Sequence, residues 1–530
     1  MNFERQAIRH LLSILTLAIP LASGTPKLCA QPTAAEKLPP SARWPAFQPS
    51  AALARTAHAL AAIGRIPIRR PAPRTAAALS DLLNAAIPDG VDPTHAVEND
   101  RLPLRGLEAW LRSSTEFAVP EPLGYAAGVI FRPGFVVTNY HAIGDPTRYQ
   151  YWVWLGEQSY SATVRAADPW TDLAVLKFDA SATNTTPLAI RIAQPQQTGS
   201  PVVAVGPGPS ADAPLRYVGG NVTGVARRAP ATQRLSNTRS IPPDRNNESI
   251  HHYGTLIQTE FHQPLAISGA ALLSLDGHWI GLTTSIALYE GADQPAGLAI
   301  PVDELFQRTV NVLAEGNCPD YGFLGIAPVS YDPQGESGSG AGPAVGVLVQ
   351  TVVPGTPAHR AGLKPNDLIS EVAGTPVRES GELIREVGSH FADDNIELKI
   401  ARPSDRGSRR TSTVQVTLAK KPPLGVRRAY AANRRAAWRG IVVDYATAVP
   451  EFQDGVGRLD ADGCVVVLDV ERDSPAWRAG IRPLLFVSHV AGSRVASPRE
   501  FSMRVQELTG AVELRITGMP RDPALIVVPP

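Results

Sequence analysis

Between residues 107 and 314 the chain is cut by Gly, Pro and Asp into short apolar runs, and this punctuation limits its fold more than any other feature. The runs lie at 127–131, 135–138, 151–155, 162–166, 173–178, 202–205, 221–225, 256–260, 271–274 and 279–283. They are too short for the 3.6-residue stripe of a buried helix, and their spacing is that of strands joined by tight turns. The region therefore reads as all-β, either a sandwich or a pair of barrels.

The residues with chemistry sit at the ends of these runs. Ser268 lies between two of them in LIQTEFHQPLAISGAALLSLDGHWIGLTTSI, residues 256–286. A serine hydroxyl is a poor nucleophile at neutral pH and needs a nearby imidazole as base, with a third group to hold that imidazole. His141 follows the run in GFVVTNYHAIG, and Asp172 stands in the polar turn of DPWTDLAVLKF. Taken singly, these are a strand-end histidine, a turn aspartate and a Ser-Gly turn. Taken together they follow the His, Asp, Ser chain order of chymotrypsin-like triads.

The three segments, followed by AGLAIPVDEL at 296–305 and by two repeats described below, resemble the HtrA (Deg) family of trypsin-like serine proteases. That family reads roughly TNxHV, DxxTDLAVLK and IQTDAxINxGNSGGPLxNxxG at the corresponding places. The resemblance runs from near Leu107 to the end of the chain, about three quarters of its length. It implies a mostly β protein: a chymotrypsin-like double β-barrel with His141 and Asp172 in the first barrel and Ser268 in the second, then two PDZ-like α+β domains. It further implies an oxyanion hole from the N–H groups of Ala266 and Ser268, and a specificity pocket walled by Thr283, Thr284, Ser285 and Ile286. No acidic residue stands among those four, so a small or medium apolar side chain is the expected guest. No cofactor is implied.

The chain departs from the pattern at the nucleophile, where Ala266-Ile267-Ser268-Gly269-Ala270-Ala271 replaces Gly-Asn-Ser-Gly-Gly-Pro. If the loop needs φ > 0 at 266, a Cβ costs about 1–2 kcal/mol, and loss of one oxyanion donor costs about 100- to 1,000-fold in turnover. Two functions stay open. One is an exported endopeptidase acting on misfolded or unstructured polypeptides; the other is a silent pseudoprotease whose PDZ modules scaffold or hold clients.

Beyond a closing helix expected at 302–313, the chain repeats itself. AGLKPNDLISEVAG (361–374) aligns with AGIRPLLFVSHVAG (479–492) without a gap. In each copy a Thr/Ser-Pro-Ala triplet, at 356–358 and 474–476, caps a short helix. PDZ domains bind an extended peptide as an added strand and hold its terminal carboxylate in a backbone nest. By resemblance that nest is Phe323, Leu324, Gly325 and Ile326 in the first copy, which is expected to bind peptide C-termini. In the second it is residues 438–441, with Arg439 beside it and Leu484-Leu485 in place of Asn366-Asp367. The second copy is either a reader or a packing module.

The domains expected on these grounds are 107–316 (protease), 320–420 (first PDZ) and 438–528 (second PDZ), with a Gly/Pro/Ser-rich insertion at 331–343 and a basic linker at 421–437. The long polar stretch 227–253 occupies the place of a regulatory loop in the family. Upstream, Arg5, Arg9 and His10 precede the apolar run 11–22, which is the order of a secretory signal over residues 1–30 and too short for a comfortable membrane span. Export to the periplasm or cell envelope is the expectation. Residues 31–106, rich in Ala and Pro with short helices expected at 51–63 and 75–86, read as a spacer, a helical cap or an oligomerisation arm. The resemblance implies a homotrimer.

Composition closes off several alternatives. Fifty basic against 49 acidic residues leave a net charge of +1, so no global field draws the chain to nucleic acid or membrane. Arg227-Arg228 and Arg409-Arg410 read as solvated loop charges. Of three cysteines, cleavage of the leader after Ala30 would leave Cys318 and Cys464, which fall in different expected domains and so argue against a disulfide framework. His251, His252 and His262 lack the spacing of a metal site and read as surface or loop residues, His262 standing near enough to Ser268 to line a cleft.

Overall fold

The computed structural model describes residues 50–67, 125–156, 158–181, 185–207, 215–229, 248–261, 268–286, 297–331, 345–404, 409–422, 427–449, 460, 462–517 and 524–530. The expected signal segment, the helix at 75–86, most of the 227–253 loop, nearly all of the 331–343 insertion, His262 and Ala266 lie outside the described residues.

Twelve strands build two barrels. The first contains β1 (Leu60–Pro67), β2 (Tyr125–Arg132), β3 (Phe135–Asn139), β4 (Tyr149–Leu155), β5 (Gln158–Asp168) and β6 (Leu173–Phe178), in the order β5-β4-β1-β2-β3-β6 and closed by a β5–β6 pairing. The second contains β7 (Pro201–Gly206), β8 (Arg216–Arg227), β9 (Leu256–Thr259), β10 (Ala271–Ser274), β11 (Trp279–Thr284) and β12 (Gly297–Pro301), closed in the order β10-β11-β12-β9-β8-β7.

The period-2 alternation of the strands explains how the barrels join. On β2, β3 and β6, the residues Ile130, Val136, Ala174 and Leu176 belong to a core drawn from the first barrel alone. Their immediate neighbours Val129, Val137, Leu173 and Val175 point to the opposite face and pack with Val205, Leu256, Leu273, Leu282 and Ile300 of the second barrel. The helix Glu304–Glu315 completes that shared core with Phe306, Val310 and Leu313. Its start is capped by Asp303, whose side chain accepts from the Phe306 N–H at 2.9 Å, and its end by Gly316 at φ 90°.

Two boundaries expected from the sequence are corrected here. The first barrel does not begin at 107. Residues 51–63 do not form one helix either: the helix Ala51–Thr56 and a short 3-10 turn lead into β1, which pairs with both β2 and β4 inside the barrel. Alanine's helix propensity suggested helix for this stretch, and pairing with strands far along the chain overrides it. Likewise residues 421–437 are no free linker, since Tyr430–Ala431 pairs with Ala166 and Ala167 on the edge of β5.

The two repeats form sheets of the same connectivity. In the first, Ile326–Tyr331, Gly346–Val352, Leu368–Val372, Asn395–Pro403 and Arg409–Thr417 are neighbours in that order. In the second, Ile441–Tyr445, Val465–Val470, Phe486–Val490, Val512–Thr517 and Ala524–Val528 repeat it. Each sheet packs its own apolar core against one longer helix, Ser380–Ser389 or Pro498–Gln506.

Candidate active site

The site is assembled from four chain ends. His141 sits in a one-turn helix, Tyr140–Ile143, directly after β3. Asp172 ends the turn between β5 and β6 with φ 55°, a left-handed conformation that aspartate tolerates better than most residues. That turn is tied to the histidine by backbone: the Asp172 carbonyl accepts from the Tyr140 N–H at 2.9 Å, and the His141 N–H donates to Asp172 Oδ1 at 3.1 Å. The side chains then meet. His141 Nδ1 lies 2.9 Å from both carboxylate oxygens of Asp172, and His141 Nε2 lies 2.8 Å from Ser268 Oγ.

Burial pushes the Asp172 carboxyl up. The adjacent His141 ring, the hydrogen bonds from His141 and the His251 ring outweigh it and hold the group below the usual carboxylate range. Thr284 Oγ1 adds a further donor to Asp172 Oδ2 at 3.0 Å. The carboxylate is thus ionised, buried and aimed, as is needed to orient an imidazole.

Ser268 is held by its neighbours' backbone. Its carbonyl accepts from the Ala127 N–H at 2.8 Å, and the next residue, Gly269, donates to the Thr283 carbonyl at 2.9 Å. Gly269 has φ 91°, and a Cβ there would meet the Ala127 carbonyl oxygen at 2.1 Å, so no other residue fits. Ala270 is different: it does not adopt positive φ, and it is fully buried against Ala127. The side chain found where the family has a second glycine is therefore accommodated.

Of the four residues expected to wall a specificity pocket, three are occupied elsewhere. Thr283 pins the serine turn, accepting at Oγ1 from the Ala270 N–H at 2.9 Å; Thr284 serves Asp172; Ile286 is fully buried in the shared core. Only Ser285 is partly exposed, and its Oγ lies 2.5 Å from Ser268 Oγ and 3.1 Å from His141 Nε2.

Behind the triad is a layer the sequence did not reveal. His251, expected as a surface or loop residue, sits in the short turn Ile250–Tyr253 and is buried, its Nε2 lying 2.9 Å from the Thr171 carbonyl and its Nδ1 2.6 Å from Thr255 Oγ1. Asp168 is buried and receives the Thr171 N–H, the Thr171 hydroxyl and the Tyr321 hydroxyl, the last at 2.6 Å. Burial raises its pKa in spite of those bonds. Trp170, between the two aspartates, donates from Nε1 to the Gly388 carbonyl at 3.1 Å and lies under Lys421 Nζ, 4.2 Å from its ring centre. The Asp172 turn is therefore packed directly on the first repeat. The one trace of this in the sequence is the second aspartate of DPWTD. Nearby, Arg228, expected to be solvated, pairs with Glu379 of the same repeat.

At the expected peptide nest, Phe323 pairs with Ala419 and Leu324 is buried in the repeat's core. Gly325 takes φ 87° with Thr356 where its Cβ would stand. Ile326 opens a strand that, among the described residues, pairs on one side only. The second repeat keeps the glycine, Gly440 at φ 86° against Ser474. In place of buried Leu324 it has Arg439, whose guanidinium donates to the carbonyls of Val528, Leu508 and Gly510.

A trypsin-like peptidase domain model matches residues 126–282, and a PDZ domain model matches residues 322–418. The chain thus carries a trypsin-like peptidase domain followed by a PDZ domain. The chain is 26% identical over 382 residues to the probable periplasmic serine endoprotease DegP-like of Chlamydia muridarum (strain MoPn / Nigg), a match that covers 72% of this chain and 69% of the relative. It is 27% identical over 383 residues to the protein of the same name from Marinomonas sp. (strain MWYL1), covering 72% and 73%. Among solved structures it is similar to the HtrA-type protease AlgW with tripeptide, at 20% identity and a TM-score of 0.45, covering 70% of this chain and 97% of that one.

Among the described residues, no cluster of His, Cys, Asp or Glu is arranged to hold a metal ion, and no helix is long and apolar enough to cross a membrane. Cys318 and Cys464 are both free thiols, and burial pushes each up to about 12.

Proposed function

We propose that this chain is an exported serine endopeptidase that cleaves unfolded or misfolded polypeptides. The observation that carries the proposal is the continuous contact Asp172–His141–Ser268, at 2.9 and 2.8 Å, built from three separate ends of two barrels. In this reading Ser268 Oγ attacks the scissile carbonyl while His141 Nε2 takes its proton and later returns it to the leaving amine. Asp172 keeps the ring oriented and stabilises the imidazolium. The N–H of Ser268, with that of Ala266, holds the oxyanion. Phe323, Leu324, Gly325 and Ile326 receive a peptide C-terminus, extended along the open edge of Ile326–Tyr331. The leader-like N-terminus and the periplasmic names of the relatives support export. The trimer implied by the resemblance would be read from the mass of the purified protein.

The alternative of a silent scaffold rests on Ala266. Its other motive, Ala270, is weakened by the ordinary conformation of that residue. The deciding experiment is degradation of unfolded casein by the purified protein beside a Ser268→Ala control, both also treated with an active-site fluorophosphonate. Casein loss and labelling in the parent alone support the endopeptidase. Absence of both, persisting in Ala266→Gly and with C-terminal peptides added, would establish the scaffold.

A further inference from the structure

Ser285 is a second hydroxyl inside the triad. Its Oγ is 2.5 Å from Ser268 Oγ and 3.1 Å from His141 Nε2, and its backbone N–H donates to Ser268 Oγ at 3.2 Å. Hydrogen counting restricts what this ring can do. With Nδ1–H turned to Asp172, the imidazole has a single lone pair, on Nε2, and two hydroxyls lie within reach of it. If Ser268 donates to Nε2, the Ser285 hydroxyl donates to Ser268 Oγ beside the Ser285 N–H, and both lone pairs of the nucleophile are taken. If Ser285 donates to Nε2, the base serves the wrong serine and, among the described residues, Ser268 is left with the Ser285 hydroxyl as its acceptor.

In neither arrangement is Ser268 ready to attack a carbonyl. We infer that Ser285 is a restraining residue, whose hydroxyl holds Ser268 in a resting state and must rotate away before acylation. The inference rests on the endopeptidase reading and deepens it. Since Ser285 directly follows β11 and is partly exposed between buried Thr284 and Ile286, its hydroxyl is open to an incoming substrate chain. Its rotation is therefore the step by which substrate arms the nucleophile. The restraint is modest, as one hydroxyl–hydroxyl bond corresponds to about a two- to tenfold change in rate.

The test compares second-order fluorophosphonate labelling rates of the full-length parent, Ser285→Ala, Ser285→Thr and Ser268→Ala, with the adduct located by peptide mapping and folding checked by thermal unfolding. Ser285→Ala is expected to label about two- to tenfold faster than the parent, on Ser268, while Ser285→Thr, which keeps the hydroxyl, returns to the parent rate. A purely structural serine would not be rescued in this pattern. A labelled parent with a Ser285→Ala variant that is no faster overturns the restraint and leaves the endopeptidase standing. An adduct on Ser285 in Ser268→Ala also overturns it, because Ser285 would then be a nucleophile itself. No labelling of parent or Ser285→Ala, persisting when Ala266→Gly is added to each and with C-terminal peptides present, overturns both readings.

Discussion

Gly269→Ala is the perturbation whose outcome the structure specifies most fully. Gly269 has φ 91°, where a β-carbon costs about 1–2 kcal/mol before any contact is made. The added carbon would lie 2.1 Å from the Ala127 carbonyl oxygen, 2.9 Å from its carbon and 2.6 Å from Thr138 Oγ1. These are backbone and buried groups of the first barrel, and Thr138 Oγ1 is itself bonded to that same carbonyl at 2.7 Å. Overpacking of this kind costs about 1–3 kcal/mol. Relief by moving the turn breaks the bonds from Ala127 N–H to Ser268 and from Gly269 N–H to Thr283, at about 1 kcal/mol each. The total is about 4–7 kcal/mol, a drop of roughly 10 °C or more in Tm for a domain of this size. The same shift carries Ser268 Oγ off His141, so labelling and casein turnover should fall about 100-fold. The control is Ala270→Gly, where an ordinary φ predicts a loss of only about 0.5–1 kcal/mol. Parent-like Tm and labelling in Gly269→Ala would refute this account of the turn.

Asp172→Asn is expected to lower turnover by about 10⁴ with the fold intact, read by casein kinetics and circular dichroism. Its folded carboxyl lies below the ordinary range, so its contribution to stability is present above the unfolded value of about 3.9 and is lost as pH falls below it. Tm measured from pH 6 to pH 3 should therefore fall more steeply in the parent than in Asp172→Asn. Arg402→Met should destabilise the first repeat by about 1.5–3 kcal/mol in denaturant unfolding, because Arg402, its own side chain 36% exposed, is bidentate at 2.7 Å to Asp367, whose side chain has no exposure. Trp170→Ala removes the bond to Gly388 and the ring beneath Lys421. It should cost about 3–5 kcal/mol and speed proteolysis across residues 421–437, measured by limited digestion.

Local chemistry decided what could be read in advance. Strand runs, the order His141, Asp172, Ser268 and the repeated Ala-Gly segments are properties of neighbouring residues, and each survived into the fold as β3, the Asp172 turn, the serine turn and two matching sheets. The second repeat shows the limit of that legibility. Leu484 keeps the left-handed conformation of Asn366, φ 69° against 71°, so the turn persists, yet Leu485 removes the carboxylate that pairs with Arg402 in the first repeat.

What only the tertiary structure decided is what depends on distant pairing. β1 is an Ala-rich segment whose strand state exists because β2 and β4 supply its hydrogen bonds. His251 is buried because the Thr171 carbonyl and the Thr255 hydroxyl partner its two nitrogens, and Tyr430–Ala431 is a strand because β5 runs past its pairing with β4 and offers Ala166 and Ala167 on that side. Ser285 looked like a wall residue by its place in the chain. It stands on the nucleophile because β10 and β11 pair in a register that sets Ala271 opposite Leu282, bringing the ends of both strands together. The sequence by itself determined which groups could do the chemistry; the closure of two barrels on each other determined which of them touch.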